Sequence, residues 1–238
     1  MRSETAAGTA LRVVAYVLFA VGGMIVFAQL LAAFSSYLIA GALSVFLAAV
    51  IANALSMRIF ERGSLADIGL GWNPASARNL LIGLAGGSGA ACIVLVLPLV
   101  TRIAELEAVP DADSHWRTFL FVAVVLVFGA AGEEMLFRGY GFQILLDKFG
   151  AFATILPVAV LFAVAHSSNL NVSPLGLFNT MLWGVLLGVS FLRSGDLWLP
   201  IGLHLGWNWA LPLFGVNLSG FTIRVTGYVM RWKVGPVW

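Results

Sequence analysis

The chain has 238 residues, of which 61% are hydrophobic and only 10% charged, with a formal net charge of +2. Soluble domains carry about 25% charged residues, so the composition excludes an ordinary soluble domain and describes an integral membrane protein. The basic residues are spread out and the only cysteine is Cys92, so neither a nucleic-acid partner nor an internal disulfide is expected.

Arg2 and Arg12 precede an apolar run from Val13 to Phe34. At about 20 residues, with no convincing cleavage site, it reads as a retained span. Ser35 and Ser36 turn the chain into a second span, Tyr37 to Met57. Gln29 and Asn53, inside these spans, are expected to be interhelical hydrogen-bond partners. Arg58 to Asn79 is polar, but its Leu65, Ile68, Leu70 and Trp72 suit the headgroup region. Leu80 to Val100 is the third span. A loop from Arg102 to Arg117 follows, with Glu105, Glu107, Asp111, Asp113 and a solvated His115.

Thr118 to Arg138 is the fourth span, and Gly139 to Gly150, with Asp147 and Lys148, reads as a short interfacial segment. Ala151 to His166 is a short fifth span, Ser167 to Pro174 a loop, and Leu175 to Leu192 the sixth span. Arg193 to Asp196 is a tight turn before the seventh, Leu197 to Phe214. The expected fold class is all-α, a polytopic transmembrane helix bundle of about seven spans. It forms one domain over 1–238, with a motif-bearing core over about 118–214.

Lys and Arg in the short loops fall on one side of this alternation, which is assigned as cytoplasmic. The tail then conflicts, since Arg224, Arg231 and Lys233 fall on the other side. Either the tail re-enters the membrane or an incomplete eighth helix belongs there.

Chemistry concentrates at the end of the fourth span, where Glu133 and Glu134 are adjacent and Arg138 follows one turn later. Ionised carboxylates in hydrocarbon are costly and mark function. Residues four apart share a helix face, so Glu134 pairs with Arg138, while Glu133 points elsewhere and is free for chemistry. His166 closes the fifth span one turn after Phe162, and His204 in the seventh precedes Asn208 by one turn.

Two hydrolytic chemistries use these groups. In one, Glu133 deprotonates a water while His204 and Asn208 donate to the developing oxyanion. In the other, Glu133, His166 and His204 ligate a divalent metal such as Zn2+ with one position left for water. The residues alone leave both open. Glu133 lies about one turn from its span end, so a hydrophilic cavity opening to the basic, cytoplasmic face is expected.

Glu133-Glu134-x-x-x-Arg138, Phe162-x-x-x-His166 and His204-x-x-x-Asn208, in this order on successive apolar segments, resemble the CPBP intramembrane protease family. This is the Abi or CAAX-protease family, which includes the type II CAAX prenyl endopeptidases. The resemblance implies an intramembrane endopeptidase acting on a membrane-associated protein or peptide, in a bacterial cell membrane. It makes Glu133 the catalytic base, with Glu134 and Arg138 in support. His166 would position water or metal, and His204 with Asn208 would hold the tetrahedral intermediate. Similar bacterial chains run on past Trp238 into a further apolar segment.

Three other readings compete. Gly86-Gly87-Ser88-Gly89 matches the rhomboid serine-protease pattern with Ser88 as nucleophile, but small residues in a span more often pack helices closely. A transporter or proton relay also uses buried Glu and His, with its sites spread through the bilayer. A non-catalytic bacteriocin-immunity protein would keep the fold without the chemistry. Trp198, Trp207 and Trp209 read as interface anchors and packing.

Overall fold

The computed structural model describes residues 5–109, 116–218, 220, 223 and 225–233. Asp111, Asp113, His115 and Arg224 lie outside the described residues, as does the segment 234–238. Eight α-helices run in order: α1 (Ala6–Ala32), α2 (Tyr37–Ser56), α3 (Pro74–Val100), α4 (Trp116–Arg138), α5 (Tyr140–Phe149), α6 (Ala151–Ala165), α7 (Pro174–Ser194) and α8 (Trp198–Leu213). Two strands, β1 (Ala104–Ala108) and β2 (Tyr228–Trp232), complete the described chain. The protein is a polytopic helical membrane bundle.

Five segments are long and apolar enough to cross a membrane: Ala6–Ala32, Tyr37–Glu61, Pro74–Val100, Trp116–Phe149 and Pro174–Ser194. The expected fifth and seventh spans are helices of only 15 and 16 residues. At 1.5 Å per residue α6 is about 22 Å long, short of the ~30 Å hydrocarbon core. His166, its C-cap, is half-buried against the bundle.

Local chemistry explains the helix ends. Asn73 caps α3 by accepting from the backbone N–H of Ala75 and Ser76, with Pro74 at its first turn. Gly195, at φ 70°, ends α7 in the left-handed conformation that glycine tolerates. Asp196 then caps α8, accepting from the N–H of Trp198 and Leu199, and also takes a hydrogen bond from the Asn79 amide at 2.8 Å. Between α2 and α3 the loop holds a π turn (Met57–Glu61) and a 3₁₀ turn (Leu65–Ile68). In the latter the Ser64 N–H and hydroxyl hold the Asp67 carboxyl below the usual carboxylate range.

The interface of α3 with α8 is built from small residues. A Cβ on Gly87 would lie 2.1 Å from the Leu203 carbonyl, and one on Gly206 would lie 2.4 Å from the Leu84 carbonyl. Backbones this close gain dispersion contacts that lipid cannot supply. Ser88 belongs to this interface and donates to the Gly206 carbonyl at 3.1 Å. The Gly-rich stretch thus packs helices closely, as its small residues suggest. Asn53 bridges elements as expected, donating to the Met135 carbonyl and accepting from the Tyr140 N–H. Gln29 instead lies on the exposed face of α1.

The tail corrects a second expectation. Its described part neither re-enters as a helix nor begins an eighth span. β2 pairs antiparallel with β1, the strand formed by the acidic loop, with Glu105 opposite Arg231. Arg231 pairs with Glu107 at 2.8 Å and Lys233 with Glu105 at 2.8 Å. The tail's cations thus sit on the non-basic side because that side supplies their carboxylates.

Candidate active site

Each side chain of the site reaches its position through a local device. On α4, Glu133 and Glu134 are neighbours and point about 100° apart. Glu134 turns into the bundle and is fully buried with Arg138. The guanidinium Nη1 lies 3.2 Å from Glu134 Oε2 and 3.3 Å from Oε1. Nη2 donates across to the carbonyl of Gly184 on α7 at 2.9 Å. The guanidinium carbon also stands 4.8 Å from the centre of the Phe162 ring, a cation–π contact from α6.

Glu134 has a further partner that its spacing to Arg138 does not reveal. Its Oε1 accepts from His204 Nδ1 at 2.7 Å, linking α4 to α8. His166 is fixed in the same way by another acceptor, since its Nδ1 donates to the Phe162 carbonyl at 2.7 Å. Both imidazoles therefore carry a proton on Nδ1 and present Nε2 to the site. Glu133 Oε2 is 3.5 Å from His166 Nε2 and 3.8 Å from His204 Nε2. Phe162, 3% exposed, packs beside both rings, with centroids 4.6 Å from His166 and 6.1 Å from His204.

The structure thus brings Glu133, His166 and His204 together around one carboxylate oxygen, which is buried without a hydrogen-bond partner among the described residues. Asn208 lines the same cavity of about 170 Å³. Glu134, Arg138 and Phe162 lie behind these groups. Such an arrangement can polarise a water and donate to a nearby oxyanion. Among the described residues no group of three His, Cys, Asp or Glu side chains is arranged to hold a metal ion.

The cavity also has lining residues beyond the polar cluster. Its remaining lining includes Asn169 in the α6–α7 loop, Thr180 in the first half of α7, Leu211 at the end of α8, and Leu218 in the tail. All four lie toward the end of the bundle that carries the strands. On the basic side of Glu133 the chain is sealed, with Glu134, Arg138 and Tyr140 at 2% exposure or less. The cavity therefore extends away from the basic face, because the Glu134–Arg138 network fills the space on that side. Trp207, read as an anchor, also lines it, together with Trp183 and Leu187. The signal for Trp207 was its place three residues after His204, on nearly the same helix face. Gly184 acts through its carbonyl and has no side-chain signature.

Comparison with known proteins follows the same residues. The chain is similar to an uncharacterized 24.3 kDa protein of Escherichia coli, 28% identical over 159 residues, covering 64% of this chain and 67% of that protein. No solved structure matches. A family model described as type II CAAX prenyl endopeptidase Rce1-like matches residues 115–210, a stretch that holds every group of the cavity's polar cluster. Over residues 115–210 the chain is therefore similar to the type II CAAX prenyl endopeptidases, the family that its three motifs resemble.

Proposed function

We propose that the protein is an intramembrane endopeptidase that hydrolyses a peptide bond of a membrane-associated protein or peptide, with Glu133 as the base. The supporting observation is the convergence of Glu133 Oε2 with the Nε2 atoms of His166 and His204 in one cavity, at 3.5 and 3.8 Å. Glu133 Oε2 and His166 Nε2 both face the cavity, so a water lying beside the pair can hydrogen-bond to Glu133 within reach of the imidazole. Glu133 takes a proton from this water as its oxygen attacks the peptide carbonyl carbon. Charge develops on the carbonyl oxygen. His204, with Nδ1 committed to Glu134, turns Nε2 toward that oxygen, and the Asn208 amide donates beside it. The C–N bond then breaks as Glu133 returns the proton to the departing amine. Arg138 neutralises Glu134, and Glu134 holds the tautomer and angle of His204.

The test is peptide cleavage by the chain purified in detergent, comparing it with Glu133→Gln, His166→Ala and His204→Ala. General-base loss of this kind removes about 10²–10⁴-fold in rate. Full activity in Glu133→Gln sinks the proposal. Metal analysis of the same sample covers the second chemistry. One tightly bound ion per chain, with activity lost on chelation, would replace the glutamate–water reading with one in which Glu133, His166 and His204 are ligands.

We further place the basic end in the cytoplasm of a bacterial cell, in line with the distribution of Lys and Arg in the loops. The cavity mouth then faces the other side. In a Cys92→Ser background, Asn169→Cys should react with an impermeant thiol reagent in right-side-out vesicles and resist it in inverted ones. The reverse pattern overturns this orientation.

A further inference from the structure

The proposed chemistry uses only part of the cavity. Beside Asn169 and Thr180, the remainder is apolar: Trp183 and Leu187 from α7, Trp207 and Leu211 from α8, and Leu218 from the tail. Trp183 and Trp207 touch across the α7–α8 boundary, with ring centroids 4.7 Å apart and planes tilted by 52°. Each indole is adjacent in sequence to a glycine that fixes its backbone against another helix. Next to Trp183, the Gly184 carbonyl accepts from Arg138 Nη2, and a Cβ at Gly184 would lie 2.8 Å from Ala159 Cα. Next to Trp207, the Gly206 carbonyl accepts from Ser88, and a Cβ at Gly206 would lie 2.4 Å from the Leu84 carbonyl. Neither ring can retreat by a backbone shift. The pair forms a preorganised wall, the condition under which a pocket discriminates by size.

We infer that Trp183 and Trp207 form the subsite for one apolar side chain flanking the scissile bond and set which residue is accepted there. This rests on the endopeptidase reading above and gives it a substrate preference. Trp207 is adjacent to Asn208 and three residues beyond His204, so a side chain against its indole belongs to a residue whose amide lies beside the catalytic groups. The size follows from the cavity. Its volume of about 170 Å³ is well below the ~300–1,000 Å³ that encloses a drug-sized ligand. It has room for one side chain and the amide beside it. The lining sets the preference, because an apolar side chain packs against these indoles and leucines whereas a charged one placed against them gives up water for apolar neighbours.

The test uses the full chain in detergent and a set of internally quenched peptides. These are identical except at the two residues flanking one amide, each varied through Ala, Val, Leu, Phe, Trp, Asp and Lys. At one of the two positions the native chain should favour Val or Leu over Trp, Asp and Lys by tenfold or more in kcat/KM. Trp183→Ala and Trp207→Ala should each shift the preference at that same position toward Phe and Trp by about tenfold, the scale on which a pocket senses a few methylenes. Trp183→Phe and Trp207→Phe should shift it less, in the same direction, and they carry the test if the alanine variants do not fold. An unchanged ranking overturns the subsite while leaving the peptidase reading intact. So does an equal loss for every peptide in variants that elute from a sizing column as the native chain does. Failure of the native chain to cut any peptide faster than Glu133→Gln overturns both.

Discussion

Carboxylate–cation pairs occur at both ends of this bundle, with nearly the same distances and opposite consequences. Glu134 and Arg138 meet at 3.2 Å with no solvent exposure on either side chain. Arg231 and Glu107 meet at 2.8 Å with exposures of 64% and 56%, and Lys233 and Glu105 at 2.8 Å with 48% and 58%. Separation does not distinguish them; surroundings do. A buried ion pair must recover a desolvation penalty through complete hydrogen bonding, whereas an exposed pair exchanges one set of partners for water at little change. The buried pair answers that demand in part by recruiting other elements: His204 from α8, the Gly184 carbonyl from α7 and the Phe162 ring from α6, while Arg138 Nε and Glu134 Oε2 have no hydrogen-bond partner among the described residues. Its need for partners is what assembles the site. The exposed pairs recruit nothing and only decorate two strands.

Arg138→Met should therefore have the largest effect on stability. Removing one partner of a buried pair leaves an uncompensated charge and costs about 3–5 kcal/mol. The measurement is the unfolding midpoint in detergent, with peptide cleavage alongside, which should be lost because Glu134 no longer holds His204 in a balanced network. Adding Glu134→Gln to Arg138→Met should restore part of the stability, since no lone charge remains, but not the cleavage. A double variant that is additive in stability would show that the two side chains do not form the unit described.

Asn53 separates burial from charge. It is fully buried and neutral, and its amide accepts from the Tyr140 N–H at 2.7 Å while donating to the Met135 carbonyl at 3.0 Å and the Ala49 carbonyl at 2.7 Å. Asn53→Ala leaves the Tyr140 N–H at the α4–α5 bend without its partner, a cost of about 1–3 kcal/mol. Its midpoint should fall between those of Arg138→Met and the exposed-pair variants. A cost equal to that of Arg138→Met would mean that loss of a buried hydrogen bond, rather than an unpaired charge, dominates at this depth.

The difference between the two regions also explains what could be read from the chain. The Glu134–Arg138 pair was legible because helical periodicity fixes which residues meet at a spacing of four, and the long helices because apolar runs are local signals. Glu133, His166, His204 and Asn208 could be grouped by the resemblance of their motifs, yet no spacing rule relates residues on different helices. The hydrogen bond from His204 to Glu134 spans 70 residues and had no local trace. Gly184 contributes a carbonyl, which every residue has. Apolar runs also locate α6 and α8, although at 15 and 16 residues these are the shorter helices of the bundle. The strands were missed because five residues carry little pattern, and the alternation of Glu105 and Glu107 gained meaning only opposite Arg231 and Lys233.

The smallest effects belong to the strand pairs, and they test the comparison from its weak side. Arg231→Ala and Lys233→Ala should each cost under about 1 kcal/mol, and raising the salt to about 1 M, where the screening length is ~3 Å, should erase most of the difference from the native chain. The strands themselves should survive, because their ladder and the packing of Met230 with Leu95 and Ala104 do not depend on charge. Hydrogen exchange can detect what unfolding midpoints will not: amides of Tyr228–Trp232 should exchange faster in the double variant while those of α4 and α8 do not change. Cleavage should change by no more than a few-fold, since Leu218, the tail residue that reaches the cavity, is held by Val122, Leu126 and Val225 rather than by the strand charges. A loss in Arg231→Ala as large as in Arg138→Met, or one insensitive to salt, would mean that exposure does not set the weight of these pairs and that the tail is part of the structural frame of the site.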